Sequence, residues 1–402
     1  MAMTTGLALA EQRALYRRLA ELSDFDIGYP NATDLDVAEL DRFWDLSLNN
    51  VGHPFAPAHG FTGHTLDREA QVVAEVADLF RAPLDDVTGH VTSGSTEAIR
   101  AALLQARQRF DRKLVLYAST AAHTCVRKLA AELCLRLRLV PAADTGEMDY
   151  AALAKVVARR PKGAAVVVVA TIGTTMVEAI DSVPDIHRAL DAAGVPTERR
   201  FIHSDAALAG LPLATMDPHT RPGFDLADGA DSVSFSGHKF LGVPTPCGVV
   251  VLRASSCPVP DMTLTYTGAP DLTPAGSRSG HTPLMLLLAL RRFGRDGLRR
   301  RAEQCRQNAD ELVRRLVGVP AWRHPLAFTV VLPRPSAALL GRWPLPVEDT
   351  WAHVICMPGK RPETYERFAA EYIADLRSGA ADVQLPTPRT SGEALKASPL
   401  AC

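Results

Sequence analysis

Apolar residues in this chain follow two periods that alternate through its middle. Leu66, Val72, Val73, Val76, Leu79 and Phe80 fit a 3.6-residue period, which predicts an amphipathic helix over about 66–80. Residues 7–22 predict another, with Leu7, Leu15, Leu19 and Leu22 on one face, and a shorter helix at about 35–46 carries Leu40, Phe43 and Trp44. A helix beyond residue 95 would turn Ile99, Leu103, Ala106 and Phe110 inward, and residues 149–160 and 181–193 have the same spacing. Between these lie short apolar runs at Leu114 to Ser119, Ala164 to Ala170 and Phe201 to Asp205. The run from Ala164 to Ala170 is apolar throughout, as in a strand buried on both faces of a parallel sheet. The alternation from 90 to 252 predicts an α/β fold, a mostly parallel central sheet flanked by helices.

The strands end in polar residues, and the chemistry gathers there. His90-Val-Thr-Ser-Gly-Ser-Thr-Glu-Ala98 runs from a strand into a helix. Hydroxyls and backbone N–H groups at a helix N-terminus suit an anion, while Ser95 or Thr96 reads equally as a plain N-cap. His123 sits at the next strand-to-helix junction, where ligands gather in α/β folds and where a lone histidine also serves as a cap. Thr171-Ile-Gly-Thr-Thr175 follows the all-apolar strand, and His203-Ser-Asp205 closes another. Strand alternation from Asp231 ends in Ser236-Gly-His-Lys239, with a Gly- and Pro-rich segment from Gly242 to Gly248 behind it. In a parallel sheet these clusters share one edge.

A strand-end lysine facing a strand-end aspartate is what pyridoxal phosphate chemistry requires. The amine holds the cofactor as a Schiff base. The carboxylate keeps the pyridine nitrogen protonated, so that the ring accepts the electrons of a carbanion. No G-x-G-x-x-G or Walker tract supports nucleotide binding.

Beyond a Gly- and Pro-rich stretch at 267–283, helical spacing returns over about 284–317, with a break predicted near Gly294 to Gly297. Strands near 327–332 and 352–356 and a helix at 362–377 complete a smaller C-terminal α+β unit. The predicted organisation is an N-terminal helical segment (1–50), a large cofactor-binding domain (51–290), a small domain (291–378) and a disordered tail (379–402).

Composition narrows the partners. At 402 residues, 47% apolar and 22% charged, the chain is an ordinary globular protein of more than one unit. A formal charge of -1 leaves no footprint for nucleic acid or an anionic membrane. Arg299-Arg300-Arg301 is expected on a solvated helix face. Glu11 and Arg13 interrupt any leader-like apolar core, and no run is long enough to span a bilayer. Seven cysteines without C-x-x-C spacing favour free thiols in a reducing cytoplasm. His53, His59 and His64 lie in the irregular stretch 49–64 without the spacing of a ligand set, so no metal is expected.

Taken together, these residues resemble the group II pyridoxal-phosphate-dependent amino-acid decarboxylases of the aspartate-aminotransferase fold (fold type I), and within them the bacterial histidine decarboxylases. The resemblance runs from about residue 24 to 377. It rests on Asp26-Ile-Gly-Tyr-Pro30, Thr92-Ser-Gly-Ser-Thr-Glu97, Ala122-His123, Ile172-Gly-Thr-Thr175, His203-Ser-Asp-Ala-Ala-Leu208, Ser236-Gly-His-Lys239, Pro244-Thr-Pro-Cys-Gly248 and Gly276-Ser-Arg-Ser-Gly-His-Thr-Pro-Leu-Met285. It implies decarboxylation of an L-amino acid, histidine or a related side chain first, to the amine and carbon dioxide. It implies catalytic roles for Lys239, Asp205 and His123, with His123 stacked on the ring. Ser95, Thr96, Ser236 and His238 would hold the phosphate, Thr175 would sit near the ring hydroxyl, and Ala207 would join the cofactor contacts. It also implies a homodimer whose active site the neighbouring chain completes.

The chain departs from the pattern twice. Where histidine-type relatives carry a loop serine tied to protonating the reaction intermediate, this chain has Ala327, with Thr329 and His324 as alternative donors in the same stretch. The resemblance implies that loss of that hydroxyl can favour decarboxylative oxidative deamination, with carbon–carbon bond formation a further outcome on such a scaffold. The second departure is the stretch 53–65, about one residue longer than in relatives, where substrate-facing side chains are expected. It reads as altered specificity or as loop drift.

Overall fold

Val-rich runs that are apolar on both faces need cover on both sides, and they find it in a seven-stranded sheet. Its strands are β1 (Val87–Thr92), β2 (Leu114–Ser119), β3 (Leu137–Val140), β4 (Ala165–Thr171), β5 (Arg200–Asp205), β6 (Ser232–Ser236) and β7 (Gly248–Arg253), in the spatial order β1-β7-β6-β5-β4-β2-β3. Only β7 opposes its neighbours, pairing antiparallel with both β6 and β1. The remaining pairings are parallel. All strands but β7 therefore deliver their C-terminal ends to one edge, as predicted, and β7 begins there. The computed structural model describes residues 9–55, 62–257 and 273–378, with the backbone of the paired strands Thr263–Leu264 and Ala269–Pro270. The predicted tail 379–402 and His59 of the stretch 53–65 lie outside the described residues.

Helices cover both faces. Before the sheet come α1 (Leu9–Phe25) and α2 (Leu66–Leu79), and within it α3 (Ser95–Arg109), α4 (Cys125–Glu132), α5 (Tyr150–Ala158) and α6 (Val183–Ala192). Period-2 alternation splits β4 between two cores. Val167 and Val169 pack with Ile99 and Leu103 of α3 and Leu129 of α4. Val166 and Val168 pack on the other side with Val73 of α2, Leu153 of α5 and Ile186 of α6.

The long helix α7 (His281–Arg315) kinks at Gly294, whose φ of 56° and ψ of 179° lie outside helical space. The break was predicted there. A three-stranded antiparallel sheet follows, from β8 (Thr329–Pro333), β9 (Val347–Glu348) and β10 (Trp351–Ile355), in the order β8-β10-β9. The last described helix, α8 (Pro362–Arg377), packs on α7.

Two local expectations need correction. Arg301 does not sit on a solvated face. Its guanidinium pairs with Asp34 at 2.5 Å and 2.9 Å and lies over the rings of Phe293 (3.9 Å) and Phe240 (5.0 Å). Arg299, bonded to Asp296 on the exposed side, fits the expectation. The run of three was read by charge alone, and the helix turns its members to different surroundings. The other correction concerns α1. The helix forms, but none of its residues is buried, and Leu19 is 53% exposed.

Candidate active site

Asp205 is the last residue of β5 and only 5% exposed. Its strand lies beside β6 with Asp205 opposite Ser234, and the chains stay paired beyond the strand ends. Ala206 N–H donates to Ser234 O at 2.9 Å, and Ser236 N–H to Ala207 O at 3.2 Å. That pairing carries Lys239, just past β6, to the aspartate. Burial raises the Asp205 carboxyl above its ordinary range, while Lys239, His123 and the Ala207 N–H oppose the rise. Burial lowers the Lys239 amine, opposed by Asp205 and by Cys125. His123 is lowered first by burial, with Asp205 pulling the other way and Lys239 adding to the fall. These residues therefore form one electrostatic unit. One oxygen of Asp205, Oδ1, is buried without a hydrogen-bond partner.

Thr124 is the N-cap of α4, and His123 before it accepts through Nδ1 from Cys125 N–H at 3.3 Å, with its ring within electrostatic reach of Asp205 and Lys239.

The anion cradle lies at the start of α3. Gly94, with φ of 155°, is the N-cap, so neither Ser95 nor Thr96 has that role. Glu97 satisfies the entry instead, accepting from Ser93 N–H at 2.8 Å and Ser93 Oγ at 2.6 Å. Ser95 is thereby released to bond Ser236, Oγ to Oγ, at 2.8 Å. Gly248, the first residue of β7, lies so close that a Cβ there would stand 2.8 Å from Gly94 C and 3.0 Å from Ser95 N. His238 is bound through Nδ1 to the Cys247 backbone, 2.9 Å from its carbonyl and 3.1 Å from its N–H, and burial lowers its pKa. Thr96 is exposed and lies near the Cys125 thiol. Ala207 is half-buried.

Thr175 is exposed in the turn after β4. The buried hydroxyl of that turn belongs to Thr174, which accepts from Ala179 N–H at 3.0 Å.

Cys125 was missed, because a cysteine inside a helical pattern gives no sign that its thiol meets Thr96, Asp205 and Lys239. Behind Asp205, His203 bridges Ser232 (2.8 Å) and Ser234 (3.1 Å), and burial pushes its pKa down to about 3, which leaves the ring neutral. Period-2 spacing in His203-x-Asp205 places both side chains on one face of β5. Phe240, next to Lys239, is held between Arg301 and Phe328, 6.0 Å away.

Ala327 is fully buried. Arg323 clasps its turn, donating to the carbonyls of His324 (3.0 Å), Pro325 (2.7 Å) and Ala327 (2.8 Å). Both alternative donors bond carboxylates, His324 through Nε2 to Glu147 at 2.9 Å and Thr329 to Glu178 at 2.5 Å, while His324 Nδ1 is buried without a partner among the described residues. At the entry to the stretch 53–65, His53 is buried against Thr88 at 2.8 Å, and Glu69 joins Asn50, Val91 N–H and Arg278 beside it. Among the described residues no three His, Cys, Asp or Glu side chains converge as a metal set.

The residues present fit pyridoxal phosphate. An orphaned buried carboxylate oxygen waits for a protonated ring nitrogen, and a glycine-lined helix start with two hydroxyls waits for the phosphate.

Comparison with known proteins agrees. Residues 64–321 match the model of the pyridoxal-dependent decarboxylase conserved domain. A histidine decarboxylase of Pseudomonas entomophila is 38% identical over 83% of this chain and 82% of its own length. One of Mesorhizobium japonicum is 39% identical over 86% and 92%. Among solved structures, L-methionine decarboxylase of Streptomyces sp. 590 superposes with a TM-score of 0.82 at 26% identity, covering 91% of this chain and 94% of that one. The glutamate decarboxylase of Lactobacillus brevis, at 18% identity and a TM-score of 0.74, shares the fold.

Proposed function

We propose, from the premise that this chain belongs to the pyridoxal-dependent decarboxylase family, that it decarboxylates L-histidine or an amino acid with a closely related side chain. The observation that carries the reading is the buried Asp205, one oxygen unpaired, beside the strand-end Lys239. The histidine decarboxylase relatives support the choice of substrate.

When bound, the cofactor supplies an electron-poor ring that draws off the electrons released as carbon dioxide departs. Lys239 would hold it covalently, and a lowered pKa leaves more of the amine neutral and nucleophilic. Asp205, kept from water, would hold a proton on the ring nitrogen through Oδ1. His123 would contact the cofactor beside Lys239 and Asp205, Ser95, Thr96, Ser236 and His238 would hold its phosphate, and Thr175 and Ala207 would be further contacts.

The apolar stripe of α1 (Leu15, Leu19 and Leu22, with Tyr16) is exposed and supports a homodimer in which a second chain covers it and completes the site. The six described cysteines are all unpaired, which supports a cytoplasmic location, and no described helix is long and apolar enough to cross a membrane. We place the junction of the large unit (51–290) and the small one (291–378) at the Gly294 kink.

Incubating the cofactor-loaded enzyme with a panel of amino acids and identifying products by mass tests the proposal. Amine and carbon dioxide from histidine support it; no turnover of any amino acid removes it. A second reading rests on the buried, hydroxyl-free Ala327 and the engaged side chains around it. There dioxygen is the oxidant, and aldehyde, ammonia, carbon dioxide and hydrogen peroxide are the products.

A further inference from the structure

At the sheet edge opposite Lys239, a cavity of about 260 Å³ is lined by Arg136, Arg138, Arg159, Arg160 and Tyr117 among others. Its position follows from the topology. Arg136 precedes the first residue of β3, and Arg159 and Arg160 lie between the end of α5 and the start of β4. The active-site residues, by contrast, follow strand ends. The cavity is therefore separate from the phosphate cradle at Ser95 and Ser236.

Its walls are built from fixed and free charge. Arg160 is pinned, its guanidinium donating to the carbonyls of Val157 (3.3 Å), Ala193 (3.1 Å) and Gly194 (3.0 Å) at the ends of α5 and α6. Arg136, Arg138 and Arg159 form no ion pair with any described residue, although most arginines elsewhere in the chain do. Tyr117 is 1% exposed, yet its hydroxyl bonds no described residue and feels the charge of Arg160, Arg138 and Arg136. Like charges gathered without a counter-charge repel. Arg136, Arg138 and Arg159 are exposed, so water screens that repulsion, and their guanidinium groups stay open to an anion.

We propose that this cavity binds a small phosphate-bearing anion, a phosphate ester or diphosphate, through the guanidinium groups and the Tyr117 hydroxyl. Guanidinium forks match phosphate oxygens two at a time. The volume suits a small molecule and excludes a nucleic acid or a folded partner. The inference is independent of which amino acid the enzyme consumes.

The test uses holoenzyme, whose cofactor fills the other phosphate site, titrated with inorganic pyrophosphate by calorimetry. Saturable binding at one site per chain is expected, with the visible absorbance of the bound cofactor unchanged. Arg138→Ala should weaken binding about tenfold or more, and Arg159→Ala likewise, with decarboxylation preserved. Arg136→Ala serves as the replacement should either variant fail to fold. Absence of saturable binding, equal affinity in the arginine variants, or displacement of the cofactor by pyrophosphate would each overturn the proposal.

Discussion

Chemistry at the level of single residues depends here on groups whose surroundings oppose their charge. Asp205 is buried with one oxygen unpaired, and Lys239 is lowered by the same burial. Asp205→Asn keeps the shape and loses the charge. It should lower kcat by roughly 100-fold or more, since one well-aimed electrostatic partner is worth that much, and cofactor should dissociate more readily. A variant with the wild-type kcat would remove the electron-sink role. Lys239→Ala should abolish the visible absorbance of lysine-linked cofactor, read directly in a spectrum of the purified protein. Both residues were legible, because chemically unusual groups at strand ends stand out from a strand's apolar body. Cys125 and Arg301 were not, because nothing in their neighbours along the chain names Thr96, Asp34 or Phe240.

Between elements, the decisive contacts are backbone against backbone. The first residue of β7 lies against the start of α3, so Gly248→Ala forces a Cβ to within 3.0 Å of main-chain atoms that cannot swing away. The loop bearing Ser95 must shift, at a cost of about 1–3 kcal/mol. Weaker retention of cofactor on dialysis should accompany a lower Tm, and undiminished retention would show that the loop does not hold the phosphate.

A second inter-element contact is a buried carboxyl. Glu178, on the loop after β4, accepts from Phe328 N–H at 3.2 Å and from Thr329 at the start of β8, and burial raises it to about 7 from 4.5. Arg306, His324, Cys305 and Cys356 also face it. The folded chain thus holds a proton there that the unfolded chain has released. The resulting stability is complete below about pH 4.5 and is lost as pH rises through about 7. Glu178→Gln removes that slope. Its Tm relative to wild type should climb by about 4 °C between about pH 5 and pH 8; a constant difference in calorimetry would show that the carboxyl does not titrate there.

Across the described residues, α1 is a long helix that the chain leaves without a buried residue. A stripe of leucines needs cover, and a second copy would provide it. If the proposed homodimer forms through this stripe, Leu19→Glu should lower the sedimentation coefficient to that of a single chain and lower activity with it. A wild-type chain that already sediments as a monomer, or a variant that sediments as the wild type does, would remove α1 from the proposed interface.

The amino-acid sequence by itself determined the succession of helices and strands, the edge that collects polar residues, the break at Gly294 and the presence of a lysine and an aspartate at that edge. These are local matters of period, of turn chemistry and of which residue types carry reactive groups. Tertiary structure alone decided that β7 lies reversed between β1 and β6, so that Gly248 meets Gly94 across the sheet. It also decided that Gly94 caps α3, that Ala327 is sealed under Arg323, and that arginines cluster around Tyr117 far from the active site. Such contacts join segments distant along the chain, and burial and electric field depend on everything packed around a group, which no short stretch encodes.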